Sequence, residues 1–279
     1  MDWSKSKNIL IIAFIITNLI LVVTFINNSM NAKAYVSESY DVKNRLIEKN
    51  ITINTDIPSE IPSMGLLQLE YQFYPREKDK INLANKFLND YSIEYGPGSV
   101  SFISDSETLK IENDREIKYF ANNSKKKYNN IEENLNEIVE EFLSKRDFEI
   151  TDYVLTDKKE ENGIYTVEYT KKYKNTIIER SYMKFTIDSS GVISFDRLWL
   201  NLGGEKVGKI NIRPATDSLL KLLSNEKVYG KTITDMRHCY YFDPKNQNIA
   251  NFDNPKSGDA IPAWKVKFSD GTVEYLYEN

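Results

Sequence analysis

Apolar residues run from 9 to 26 with only Thr17, Asn18 and Thr24 between them. As a helix this run is roughly 27 Å long at about 1.5 Å per residue. A hydrocarbon core is about 30 Å thick and takes about 17–25 residues, whereas the apolar part of a secretory signal is about 7–15 residues. The small-x-small stretch "NAKA", ending at Ala34, offers a cleavage site, but it lies well past the end of the run. The pattern predicts an anchor that stays, over 8–27. Lys5 and Lys7 precede the run against Asp2, and Lys33 is the only charge close after it. The positive-inside bias then puts residues 1–7 in the cytoplasm, with Trp3 near the headgroups, and the rest of the chain outside. So short a tail has no room for a catalytic domain, and any work falls to the span or to the exterior.

Beyond the run the period changes repeatedly. Residues 28–50 read as a stalk, helical over 37–49. "ITINTDIP" and "GLLQLEYQFY" read as strands, "DKINLANKFLNDY" (79–91) as an amphipathic helix, and short strands follow near 100–104, 107–112 and 115–120. The polar "NNSKKKYNN" (122–130) reads as a linker. In "NNIEENLNEIVEEFLSKRD" (129–147), Ile131, Leu135, Ile138, Val139, Phe142 and Leu143 share one face of a helix. Asn130 and Glu133 resemble a capping box.

Strands follow at about 150–157, 163–173, 177–187 and 192–202. A turn at Lys174-Asn175-Thr176 sets Tyr165 against Phe185 and Val167 against Met183, keeping both apolar faces on one side. Pro214 then suits a first helical turn, "ATDSLLKLLSN" (215–225) continues it, and 233–243 is a strand. "IPAWKVKFSDGTVEYLYEN" closes the chain as a hairpin. A type I′ turn at Asp270-Gly271 would pair Phe268 with Val273, Val266 with Tyr275 and Trp264 with Tyr277, all on one face.

Composition narrows the reading. The chain has 279 residues, 37 Lys+Arg and 41 Asp+Glu. Without residues 1–34 the exterior part carries 34 basic and 40 acidic residues, a net charge of −6. That gives no support for nucleic-acid binding, which wants a basic face. Some 245 exterior residues are enough for one large core or several small ones. Cys239 is the single cysteine, so no internal disulfide holds the fold.

Candidate chemistry is sparse. There is no glycine-rich phosphate loop, no H-E-x-x-H and no G-x-S-x-G. His238 and Cys239 are adjacent on a strand, so their side chains point to opposite faces. One His and one Cys are too few for a structural zinc site. Acidic stretches such as "DKKEENG" (157–163) read as solvated turns, with calcium a weak alternative, and nothing marks a catalytic carboxylate pair. The pattern carries no catalytic, cofactor or metal site.

Asn18 therefore stands out. It falls near the bilayer midplane, where lipid offers its amide no partner. A helical net puts Ile11, Phe14, Ile15, Asn18, Leu21, Val22 and Phe25 on one stripe. Phe14, Ile15, Asn18, Leu21, Val22 and Phe25 are the candidate interface for a partner's span. An interhelical bond there is worth about 0.6–2 kcal/mol. The rival reading is a tolerated Asn whose amide bonds a backbone carbonyl.

Two segments carry a resemblance. "MDWSKSKNILIIAF" resembles the amino terminus of the YycI family, and "IPAWKVKFSDG", with its Pro-x-Trp strand and Asp-Gly turn, resembles the end of that family. Between them only length and element order agree. The resemblance implies a membrane-anchored accessory of the WalK (YycG) sensor histidine kinase, acting with the related YycH protein on cell-wall metabolism through spans and outer domains. It implies outer units like the last domains of YycH, near the PepSY type. It brings no catalytic residues and no cofactor.

The expectation is thus an α+β protein: one N-terminal transmembrane helix followed by extracellular helix-plus-antiparallel-sheet units at 51–121, 122–202 and 203–279. The expected partners are a sensor histidine kinase, a YycH-type protein in a heterodimer, and the membrane, without nucleic acid. The alternatives are an anchored PepSY-like ligand-binding or protease-inhibiting module, and a wall enzyme.

Overall fold

A computed structural model describes residues 3–122, 125–149, 151–243 and 256–278. The side chains of 3–6, 9, 24–40 and 207–211 also lie outside the description, and with them the readings made on Trp3, Lys5, Phe25 and Lys33. The chain divides into two compact units, neither continuous in sequence. One gathers 1–61, 213–237 and 264–278, and the other 62–212 and 238–263. These replace the three consecutive units expected, because late strands return to complete structure begun by early ones.

The smaller unit starts with α1 (Trp3–Ile47), a single helix that contains the apolar run and the stalk as far as Ile47, with 48–50 forming a turn. Its last turns bury Val42 and Leu46 against α4 (Ala215–Leu219) and the 3-10 turn that continues it to Ser224. The chain then turns back: the amide of Ile51 donates to the carbonyl of Leu46 at 3.0 Å. β1 (Thr52–Ile53) joins the start of β12 (Thr232–Tyr241) in parallel, Thr52 opposite Thr232.

The closing hairpin pairs the end of β13 (Ser257–Phe268) with β14 (Val273–Leu276), in a register one residue from the expected one. Trp264 lies opposite Leu276 and Val266 opposite Glu274. The cause is the turn. Type I′ needs positive φ at both central residues, but only Gly271 has it, at +85°. The loop is three residues, Ser269 to Gly271, closed by the Phe268 amide on the Thr272 carbonyl at 2.8 Å. A one-residue slip turns every side chain over. Leu276, not Tyr277, therefore joins buried Trp264, Val266 and Phe268. Asp270 still organises the turn, accepting from the Thr272 amide at 2.9 Å.

The larger unit is built on antiparallel pairing. β3 (Ser92–Gly96), β4 (Ser99–Ile103), β5 (Glu107–Glu112), β6 (Glu116–Ala121), β10 (Gly191–Leu198), β9 (Thr176–Asp188), β8 (Ile164–Tyr173) and β7 (Tyr153–Glu161) follow one another across it. β2 (Ser63–Tyr71) pairs with β11 (Leu200–Asn211) and with the start of β13, while Cys239 and Tyr240 of β12 pair in parallel with β9.

α2 (Glu77–Ala84) and α3 (Ile131–Ser144) supply apolar faces to one core. On α3 the buried residues are Leu135, Ile138, Val139, Phe142 and Leu143. Asn130 occupies the N-cap position without a side-chain cap bond, so no capping box forms. α2 stops at Ala84, yet turns after it still bury Phe87 and Leu88, so apolar periodicity outlasts the helix.

β8 and β9 meet in a shifted register. Tyr165 opposes Ile187, Val167 opposes Phe185 and Tyr169 opposes Met183. The turn holds only Lys174 and Asn175, with Lys174 at φ +55°, and Arg180 bulges out of β9 at φ +67°. The net displacement from the expected pairing is two residues, so each side chain keeps its face. Val167, Phe185 and Ile187 are fully buried.

Candidate binding clefts and the anchoring helix

Alternation along β10 places Phe195 and Arg197 on the same, core-facing side. A guanidinium buried there needs substitutes for water. Phe148 and Trp199 lie under it, at 4.5 and 5.0 Å from the ring centroids. Its Nη1 donates to Gln72 Oε1 at 2.7 Å, and the Tyr74 hydroxyl is a further partner. Nε has none, and among the described residues no carboxylate forms an ion pair with it. Burial pulls its pKa down to about 10. Lys171, buried on β8, brings its ammonium 5.1 Å from the centroid of the same Trp199, and burial lowers its pKa as well. Two buried cations thus share one indole. Gln72, Tyr74 and Phe148 also wall a cleft of about 370 Å³. Its mouth carries two ion pairs, Arg76 with Asp79 at 2.9 Å and Lys86 with Asp147 at 3.2 Å.

A second arginine flanks the same aromatic cluster. Arg146 lies 3.6 Å from the Phe142 ring centroid and 4.8 Å from that of Phe87. Its Nη1 donates to the Phe142 carbonyl at 3.1 Å, and its Nε has no partner. It lines a cleft of about 180 Å³ beside Glu141. Lys145, Lys127 and Tyr128 all donate to that carboxylate, holding its pKa at about 2. Period-two reading from Phe195 would have put Arg197 on the core face, but Arg146, in the turn after α3, had no such signal.

The stripe proposed on α1 is open. Phe14, Ile15, Leu21 and Val22 are 55–68% exposed. Asn18 is exposed too, and its Nδ2 donates to the Phe14 carbonyl at 2.9 Å, as Thr17 Oγ1 does to that of Ala13. This is the tolerated-Asn geometry, in which the polar group is satisfied within its own helix. Among the described residues no helix is long and apolar enough to cross a membrane; within the apolar run, side chains are described at 10–23.

Trp264 is fully enclosed and donates from Nε1 to the Arg213 carbonyl at 2.9 Å. Tyr277 lies on the opposite hairpin face. Cys239 is buried, and no group of His, Cys, Asp and Glu among the described residues is arranged to hold a metal.

The fold defines the class: an α+β protein on a large antiparallel-rich sheet. An uncharacterised protein from Eubacterium rectale is similar to it, with a TM-score of 0.55 and 11% identity over 86% of this chain and 94% of the other. YycH from Bacillus subtilis is similar with a TM-score of 0.51 and 11% identity, over 80% of this chain and 56% of that one. The YpeB C-terminal domain of Bacillus megaterium matches more loosely, with a TM-score of 0.39 and 13% identity over 74% of this chain and 100% of that one. No curated protein matches. The model of the YycI protein matches residues 30–278, and the chain belongs to that family.

Proposed function

We propose that the chain is a membrane-anchored, non-enzymatic accessory regulator of a WalK/YycG-type sensor histidine kinase. It acts with a YycH-type protein in the control of cell-wall metabolism. The observation that carries this reading is the family match over 30–278. Anchoring rests on the apolar run and its charge bias. α1 supports the mechanism: one unbroken helix joins the run to the packed Val42 and Leu46. A change in what the exterior binds can then alter how the span sits beside the kinase's spans. Only a difference in affinity for the two signalling states shifts that equilibrium, typically by about 1–3 kcal/mol.

The anchored ligand-binding alternative draws on the cleft of about 370 Å³ backed by Arg197. A span swap separates the two. Replacing 8–27 with an unrelated span should uncouple a reporter of kinase output while the protein stays anchored. Unchanged output would favour the ligand-binding module. Protease added to protoplasts should digest the exterior and leave a small anchored fragment, and release of an intact domain beginning near Tyr35 would refute anchoring.

A further inference from the structure

β3 is an edge. It pairs with β4 on one side and has no strand partner on the other among the described residues. Two other edges are blunted. β7 carries Asp157, Lys158, Lys159, Glu160 and Glu161 and an irregular register at Leu155/Asp157, and β11 shifts register twice. β3 has no lysine, proline or register break, and all its residues are exposed.

Its side chains are sorted. Ile93 and Tyr95 lie opposite Phe102 and Val100, whose side chains are buried in the helix-covered core. Ile93 and Tyr95 continue that apolar face outward but are 37% and 69% exposed. Between them and Ile81 of α2 opens a cleft of about 310 Å³, floored by Val100 and Phe102. Tyr95 is held across it by a 2.6 Å bond from its hydroxyl to Glu77.

At the open end of the β3–β4 hairpin a second cleft, of about 580 Å³, is lined by Asp90, Asp105 and Glu107 and by no basic residue. Asp90, Asp105 and the strand's own Glu94 have no ion-pair partner among the described residues.

We propose that the free edge of β3 receives an extended, basic segment of another polypeptide as an added strand. Main-chain hydrogen bonds give the affinity in this mode, and alternate side chains give the specificity. One apolar side chain enters the cleft between Ile81, Ile93 and Tyr95. Lysine or arginine at the end of the segment lies over Asp90 and Asp105. An acidic surface of this kind also speeds encounter with a basic partner, and added salt screens it. This inference stands apart from the kinase reading, since its test contains no kinase.

The test uses the full-length protein in detergent and a capped peptide, Lys-Lys-Val-Thr-Leu-Thr-Val-Lys-Lys, followed by titration calorimetry and by amide signals of Ile93 and Tyr95, whose main-chain groups face away from β4. Binding should weaken at least roughly tenfold when alternate peptide nitrogens are methylated, since each methyl removes a main-chain hydrogen bond to the strand. It should be abolished with glutamate in place of the lysines. Asp90→Asn with Asp105→Asn should weaken it without moving the melting temperature, and Ile93→Thr should weaken it while leaving the charge dependence. Binding indifferent to backbone methylation, or no binding at millimolar peptide, would overturn the proposal.

Discussion

The two ends of α1 treat the same kind of residue in opposite ways. Leu10, Ile12 and Phe14 are 57–74% exposed, whereas Val42 and Leu46, on the same helix, are 4% or less. Helix propensity is the same in both places, so it does not explain the difference. Partner surface does: α4 and its following turn lie beside the last turns of α1, whereas the described side chains of the run, at 10–23, are all exposed. A hydrophobic side chain reports only that it wants to leave water. At one end the chain provides the refuge, and at the other the reading proposed above assigns it to lipid and to another helix.

The strongest way to break this comparison is at the buried end. Trp264→Ala should destabilise the protein by about 3–5 kcal/mol and Leu46→Ala by about 2–5 kcal/mol. Leu10→Ala and Ile16→Ala should leave the denaturation midpoint where it is. Chemical denaturation of the detergent-solubilised protein measures all four. Equal losses at both ends would mean that the run also packs within the molecule.

Next in size is the run itself. Asn18→Leu should hold or raise protein level while weakening association with partner spans by up to about 1–2 kcal/mol, roughly five- to thirtyfold. A crosslinking assay against the kinase and a YycH relative reads this. The internal bond from Asn18 to Phe14 gives the opposite outcome a concrete basis, because a side chain already satisfied has less to gain outside. Unchanged crosslinking would assign Asn18 to its own helix.

Smaller again is the inverse case, a cation placed where greasy residues belong. Lys171→Met should stabilise by about 1 kcal/mol, since replacing a buried charge by an apolar chain of similar size is neutral to stabilising. Thermal unfolding reads this, and a large loss would mean that the ammonium is compensated by more than Trp199.

The smallest effect is at the hairpin turn. Asp270 titrates near pH 2 in the fold, because Lys231 and the Thr272 amide and hydroxyl hold its charged form. A lowered carboxylate pKa stabilises the fold above the unfolded value, and that contribution disappears as pH falls towards 2. Asp270→Asn should flatten that part of the acid limb, and melting temperatures from pH 5 to pH 2.5 decide it. An unaltered slope would show that the exposed pair with Lys231 adds nothing.

The elements were legible where one period persisted. α3 showed its face because its apolar residues return every three or four positions, and β8 and β9 because they alternate. Pairing was less legible, since it depends on backbone states that the pattern does not contain. The two-residue turn and the bulge at Arg180 together moved β9 by an even step and did no harm to the face assignment. The absence of positive φ at Asp270 moved β14 by an odd step and exchanged Tyr277 for Leu276. β3 was missed because an edge strand buries nothing and so shows no contrast. The arginine clefts were missed for a different reason: an arginine is ordinarily read as solvated, and its aromatic shelter comes from distant segments such as Phe148 and Trp199.

The interleaved make-up of the smaller unit sets a timetable for synthesis. The last turns of α1 wait for α4 and the turn after it, roughly 170 residues later, which at about 5–20 residues per second is some 10–35 s of translation. The last hairpin arrives later still. Throughout that interval the last turns of α1 lack the surface that later buries Val42 and Leu46. A ribosome stalled before Trp264 would therefore hold a chain whose smaller unit is unfinished, a natural substrate for chaperones and for quality-control proteolysis.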